Sequence, residues 1–218
     1  MSDPFPELED DQPPERQAEG LRTLRLVLWM LVALAAGAAL YAVFGAERHA
    51  ASEAPVNYGD TVGGAFSLTA PDGSTVTDQT LKGKPFAIFF GFTRCPDVCP
   101  TTLSRLARLR QQLGADGDKF EIVFVSVDPG YDSPEDIGRY VELFGTPIIG
   151  LTGSDEAIDS TVKAYRAFYA KVPVAGGDYT IDHTAAVYLM DAAGKLQSII
   201  DYHESPKTSL EKLERLVA

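Results

Sequence analysis

Hydrophobic positions in this chain fall into one unbroken block near the N-terminus and a series of short runs after residue 62. The block, Leu26 to Phe44, reads LVLWMLVALAAGAALYAVF, 19 residues without a charge. As a helix it rises about 28 Å, the thickness of a bilayer's hydrocarbon core. Trp29 and Tyr41 stand near its two ends, where amphipathic rings favour the interface. Arg16, Arg22 and Arg25 precede it and only Arg48 follows closely, so the N-terminus is expected to stay inside. A cleaved signal peptide is the alternative, but its apolar core is usually shorter, about 7–15 residues. Residues 1–25 are polar, carry four prolines and read as a disordered cytoplasmic tail. Residues 26–44 read as a single transmembrane anchor and 45–62 as a polar linker.

From Gly63 to Ala218 the pattern is that of one domain. Phe66 to Thr69 alternates, Pro71-Asp72-Gly73 turns, and Thr75 to Thr77 alternates again, which predicts a hairpin. Phe86 to Phe92 is a continuous apolar run, suited to a strand buried on both faces. Leu103, Leu106, Leu109 and Leu113 recur at helical spacing. Phe120 to Val127 is a second apolar strand, closed by Asp128-Pro129. Ser133-Pro134 starts a helix, with Ser133 as N-cap. A short strand over 148–151 precedes a helix expected over 155–170. Val172 to Ile181 reads as a glycine-containing loop. Ala185–Met190 and Leu196–Ile200 flank Asp191-Ala192-Ala193-Gly194 as another hairpin, and Ser205-Pro206 opens the last helix. A βαβ half followed by a ββα half around one mixed sheet is an α/β, thioredoxin-like fold, here with an extra N-terminal hairpin.

Charge narrows the partners. The chain has 31 acidic residues against 19 Lys and Arg, a net charge of -12. Such a surface repels nucleic acid and anionic headgroups, so no nucleic-acid partner is expected. The only membrane contact expected is through the one helix.

The candidate chemistry lies in Gly91-Phe92-Thr93-Arg94-Cys95-Pro96-Asp97-Val98-Cys99-Pro100, between the end of a buried strand and the start of a helix. Ligand sites of open α/β sheets lie at such strand ends. Cys95 and Cys99 are the chain's two cysteines, too few for a disulfide scaffold. Pro100 disfavours helical geometry at Cys99, which places the helix start at Pro100 with Cys99 capping it. The free N–H groups of a helix N-terminus, with Arg94 adjacent, are expected to favour thiolate at both sulfurs. Thiolates bind soft metals and attack disulfides.

GFTRCPDVCPTTL, with the Lys84-Pro85 entry, the Val125–Pro129 strand end, the distant Asp182-His183-Thr184 and the N-terminal anchor, resembles the Sco/SenC family of copper-binding proteins. The resemblance implies a thioredoxin-like fold and a role in assembling the dinuclear copper centre of cytochrome c oxidase. It implies copper, Cu(I) or Cu(II), held by Cys95, Cys99 and His183. From the residues alone His183 stands evenly between ligand and packing residue. His49 sits in the linker and His203 reads as a solvated surface residue. Asp182 is expected to orient His183 or to cap a turn. Asp128 is either a turn former or a contributor to the local field.

The resemblance further implies the oxidase's copper-bearing subunit and other copper chaperones as partners. In a bacterium it implies an inner-membrane protein with its domain in the periplasm. A metallochaperone with no turnover is the first expectation. A thiol–disulfide reductase acting through Cys95 and Cys99 is the second. Peroxidase chemistry fails, because Phe92 stands where peroxiredoxins place Thr or Ser three residues before the reactive cysteine. A transmembrane sensor lacks an output module in the short acidic tail.

Overall fold

The computed structural model describes residues 16–40 and 61–218, with the side chains of 24–37 in the first stretch. Helix α1 (Arg16–Leu40) starts inside the segment expected to be disordered. Gln, Ala, Glu, Leu and Arg are good helix formers and carry the helix back to Arg16. Its described apolar side chains, Leu26 to Leu34 with Trp29, are exposed. Among the described residues no helix is long and apolar enough to cross a membrane. The expected anchor runs to Phe44, and Tyr41 to Phe44, the linker through Asp60 and His49 lie outside the described residues.

The second unit begins with the expected hairpin, β1 (Ser67–Thr69) and β2 (Thr75–Thr77), paired antiparallel. A single antiparallel bridge, Thr69 to Thr152, ties it to the rest. A one-turn helix α2 (Asp78–Leu81) follows. The main sheet holds β3 (Phe86–Gly91), β4 (Glu121–Ser126), β5 (Ile149–Leu151), β8 (Val187–Met190) and β9 (Leu196–Ile200) in the order β5-β4-β3-β8-β9. β3 lies parallel to β4 and antiparallel to β8, which is the mixed thioredoxin-like arrangement. All six residues of β3 are buried, which is why its sequence runs apolar without alternation.

Helices α3 (Val98–Gln112) and α6 (Pro206–Val217) pack together, and Leu103, Leu106, Leu109, Leu213 and Leu216 join the core. Each such side chain contributes about 1.5–3 kcal/mol on burial. Helix α4 (Pro134–Glu142) starts as the sequence predicts, with Ser133 accepting from Asp136 N–H in a capping box.

Two further expectations need correction. The helix expected over 155–170 is α5 (Asp155–Ala164), and Arg166 stops it with φ 53°. Arg166 N–H donates to Lys163 O and Ala167 N–H to Val162 O, a Schellman ending with arginine where glycine is usual. The stretch read as a loop is a hairpin, β6 (Tyr169–Pro173) and β7 (Tyr179–His183), with Tyr169 opposite His183. Gly176 and Gly177 turn it at φ 96° and 85°. His183 is therefore the last residue of a strand, and Phe168 is exposed instead of lying on a helix face.

Candidate metal centre

β3 and β4 end side by side, Gly91 opposite Ser126, and the loops that follow them meet. Asp132 joins them. Its buried carboxylate accepts from Thr93 N–H at 2.9 Å, Thr93 Oγ1 at 2.5 Å and Ser126 Oγ at 2.5 Å. This fixes the start of the cysteine loop against the core. Nothing local marks Asp132 for this role, because an aspartate two residues before a helix is a common turn residue.

Helix α3 starts at Val98, two residues before the expected start, with Asp97 at the N-cap and Cys99 inside the first turn. Pro100 is tolerated there because N–H groups in the first turn have no intrahelical acceptor to lose. Cys99 is buried and Cys95 half-buried, and both are free thiols. Cys99 N–H donates to Cys95 Sγ at 3.4 Å.

The two sulfurs do not ionise alike, contrary to the expectation of two activated thiols. Hydrogen bonding from Cys99, aided by the Cys99 and Asp97 N–H groups, outweighs burial and brings Cys95 down to about 4. Burial, then the hydrogen bond and negative charge of Cys95, pushes Cys99 far up. Arg94 takes no part in the Cys95 shift. Its guanidinium turns away, to Asp128 at 3.1 Å and Asp178 at 3.3 Å, and stacks over the Tyr131 ring at 3.8 Å.

His183 reaches the sulfurs from β7. Its Nε2 is 3.4 Å from Cys99 Sγ, and its Nδ1 is 3.1 Å from Thr184 O. A carbonyl only accepts, so Nδ1 carries the proton and Nε2 presents a lone pair toward sulfur. Phe89 and Phe92 hold the ring edge-on, each at 5.8 Å between centroids. The backbone of Thr184 thus orients the imidazole. Asp182 is exposed, and as the neighbouring strand residue it points to the opposite face. His203 is exposed, as expected.

Cys95, Cys99 and His183 form a cluster that can hold a metal ion, their ligand atoms all within 4.8 Å of one another. Ligands of a trigonal ion with bonds of about 2.3 Å stand roughly 4 Å apart, so small side-chain shifts close the site. Two sulfurs and an imidazole are a soft donor set, suited to copper, whereas a structural zinc site usually takes four protein ligands.

A SCO1/SenC family model matches residues 55–218. The chain belongs to the SCO1/SenC family. Protein SCO1 homolog 1, mitochondrial, of Arabidopsis thaliana is 38% identical over 181 residues, which cover 75% of this chain and 53% of that protein. Protein SenC of Rhodobacter capsulatus is 40% identical over 130 residues, 60% of this chain and 59% of that one. The chain thus spans little more than half the length of these two relatives. The solved structure of Bradyrhizobium japonicum ScoI with copper bound is 42% identical, with a TM-score of 0.66 over 71% of this chain and 99% of that chain. The cysteines and histidine of this SCO1/SenC chain lie inside the matched region.

Proposed function

We propose that the protein is a membrane-anchored copper metallochaperone that binds copper through Cys95, Cys99 and His183 and assists assembly of the dinuclear copper centre of cytochrome c oxidase. The observation that carries this reading is the convergence of His183 Nε2 on the cysteine pair, 3.4 Å from Cys99 Sγ. Thiol–disulfide exchange does not require a histidine at that place, whereas a two-sulfur, one-nitrogen copper site does. Copper-bound relatives and membership of the SCO1/SenC family support it. The apolar block 26–44 supports an anchor, and the arginines before it support a domain held outside the cytoplasm. The oxidase's copper-bearing subunit is the receiving partner in this reading, and other copper chaperones are the donors.

Within the site, Cys95 offers a thiolate at neutral pH and is the first donor. Cys99 joins as its proton leaves, and His183 completes the set from a separate hairpin. Titrating the reduced chain with copper tests this. Wild type should bind one ion, and His183→Ala should lose most affinity for Cu(II), which depends on nitrogen more than Cu(I) does. A reporter active only outside the cytoplasm, fused after Ala218, tests the topology.

One observation favours a second reading. A half-exposed, low-pKa Cys95 beside a buried, protonated Cys99 is also the arrangement of an attacking and a resolving thiol. A reductase would keep the receiving cysteines reduced. Normal oxidase assembly in His183→Ala cells at limiting copper, with failure in Cys95→Ser cells, would establish that reading over the chaperone.

A further inference from the structure

The hairpin that carries His183 is tied to the domain at its base. Thr184 N–H donates to Phe168 O and Phe168 N–H to Thr184 Oγ1. Its far part, Lys171 to Asp178, is exposed throughout. Besides the buried Ile181, the hairpin meets the domain through Lys171, Asp178 and Tyr179, whose partners are Arg94 and Asp128. The Asp128 carboxylate is fully buried at the end of β4. It accepts from the Tyr179 hydroxyl at 2.7 Å and faces Arg94 at 3.1 Å and Lys171 at 3.5 Å. Arg94 in turn reaches Asp178 at 3.3 Å and lies over the Tyr179 ring at 4.8 Å. One buried carboxylate therefore receives a group from the cysteine loop and two from the hairpin.

Tyr179, Ile181 and His183 occupy alternate positions of β7 and so share one face. The strand has few ways to move His183 without moving Tyr179. We propose that Tyr179, acting through Asp128, is a positioning residue for His183: its phenol–carboxylate bond holds the hairpin where Nε2 can complete the metal site. A hydrogen bond to a buried charge is among the stronger polar contacts, and releasing it frees the hairpin to swing about its base. The sulfurs would keep the ion while the nitrogen leaves, which is what handing copper on requires. Arg94, next to Cys95, couples the same carboxylate to the cysteine loop.

This inference rests on the copper reading above, and its test separates the two. The full chain in detergent, reduced, is loaded with Cu(II) or Cu(I) as wild type, Tyr179→Phe, Asp128→Asn and the double variant. Tyr179→Phe keeps the ring against Arg94 and removes only the hydroxyl. Expected are a loss of about tenfold in Cu(II) affinity, weaker nitrogen hyperfine structure in the Cu(II) spectrum, and a far smaller change for Cu(I). In the metal-free chain, backbone amides of residues 179–183 should exchange about tenfold faster. Asp128→Asn, which also loses the charge facing Arg94 and Lys171, should cost at least as much, and adding Tyr179→Phe to it should cost little more. If Asp128→Asn does not fold, Tyr179→Phe decides alone. Unchanged Cu(II) affinity and spectrum in Tyr179→Phe would overturn the proposal, as would equal losses for Cu(I) and Cu(II). If His183→Ala itself leaves the Cu(II) spectrum unaltered, the copper reading of His183 fails. The amide exchange then still reports on the clasp.

Discussion

His183 Nε2 lies 3.4 Å from Cys99 Sγ, while its Nδ1 proton is committed to the Thr184 carbonyl. The buried thiol therefore faces acceptors on two sides, the Cys95 sulfur and an imidazole lone pair. Metal-ligating histidines are commonly fixed by such a second hydrogen bond. Here the backbone supplies it, so no substitution of a side chain removes it.

The first prediction concerns thiol reactivity. Alkylation of the reduced, metal-free chain should fall almost wholly on Cys95, with a rate flat across neutral pH and dropping only near 4. The same depression stabilises the fold. Because the folded value lies below the unfolded one, the contribution is full above about 8.5 and disappears as pH falls through about 4. Cys95→Ser should flatten that acid-side slope in urea titrations. For Cys99 the sign is opposite. Its contribution is full below the unfolded thiol value and is lost as pH rises beyond it, so the two windows do not overlap.

Proton release on metal binding follows from the same asymmetry. With Cys95 ionised and Cys99 protonated at pH 7, the sulfurs should give up about one proton per bound Cu(I), not two. A pH-stat titration measures it. Two protons per ion at pH 7 would show that the thiols titrate together.

Gly91 has a packing role. A Cβ there would lie 2.6 Å from Cys99 Sγ and 3.0 Å from Phe124 Cε2. Gly91→Ala should displace the sulfur, cost about 1–3 kcal/mol of stability and weaken copper binding together with it. Equilibrium unfolding and copper competition on the same preparation check both.

Arg166 offers a substitution in the other direction. Its left-handed φ of 53° costs an arginine about 1–2 kcal/mol that glycine does not incur. Arg166→Gly keeps both Schellman hydrogen bonds and loses one side-chain bond to Thr61 O. A gain of about 1 kcal/mol is expected, read as a higher urea midpoint with the slope unchanged.

Much of this was legible in the residues. The unbroken run from Phe86 is a central strand because both its faces are covered, and Ser133-Pro134 is a helix start because capping is local. Cys95, Cys99 and His183 come together, although 84 residues separate Cys99 from the histidine. What was not legible depends on distant partners. Tyr165 and Phe168 continue the helical period past Ala164, and the stop falls on an arginine that carries no local signal. The β6–β7 hairpin did leave a trace in Ala175-Gly176-Gly177-Asp178 between two β-favouring stretches. The difference between the sulfurs was hidden, since their neighbourhood in sequence is shared and it is burial and the hydrogen bond between them that set them apart. Arg94 looked like a neighbour of Cys95 and proved to be a partner of Asp128, 34 residues on.

The Ser126–Asp132–Thr93 brace bears on how far the cysteine loop can travel. Copied alone into another thioredoxin-like scaffold, the segment Gly91 to Pro100 brings both sulfurs but leaves behind the carboxylate that ties down Thr93. Such a transplant would have a loop with the right letters and a loose stem. Its sulfurs would spend more time apart, and affinity would fall by the cost of gathering them. The portable unit is therefore a pair of loops on two parallel strands, and a designer would have to move them together.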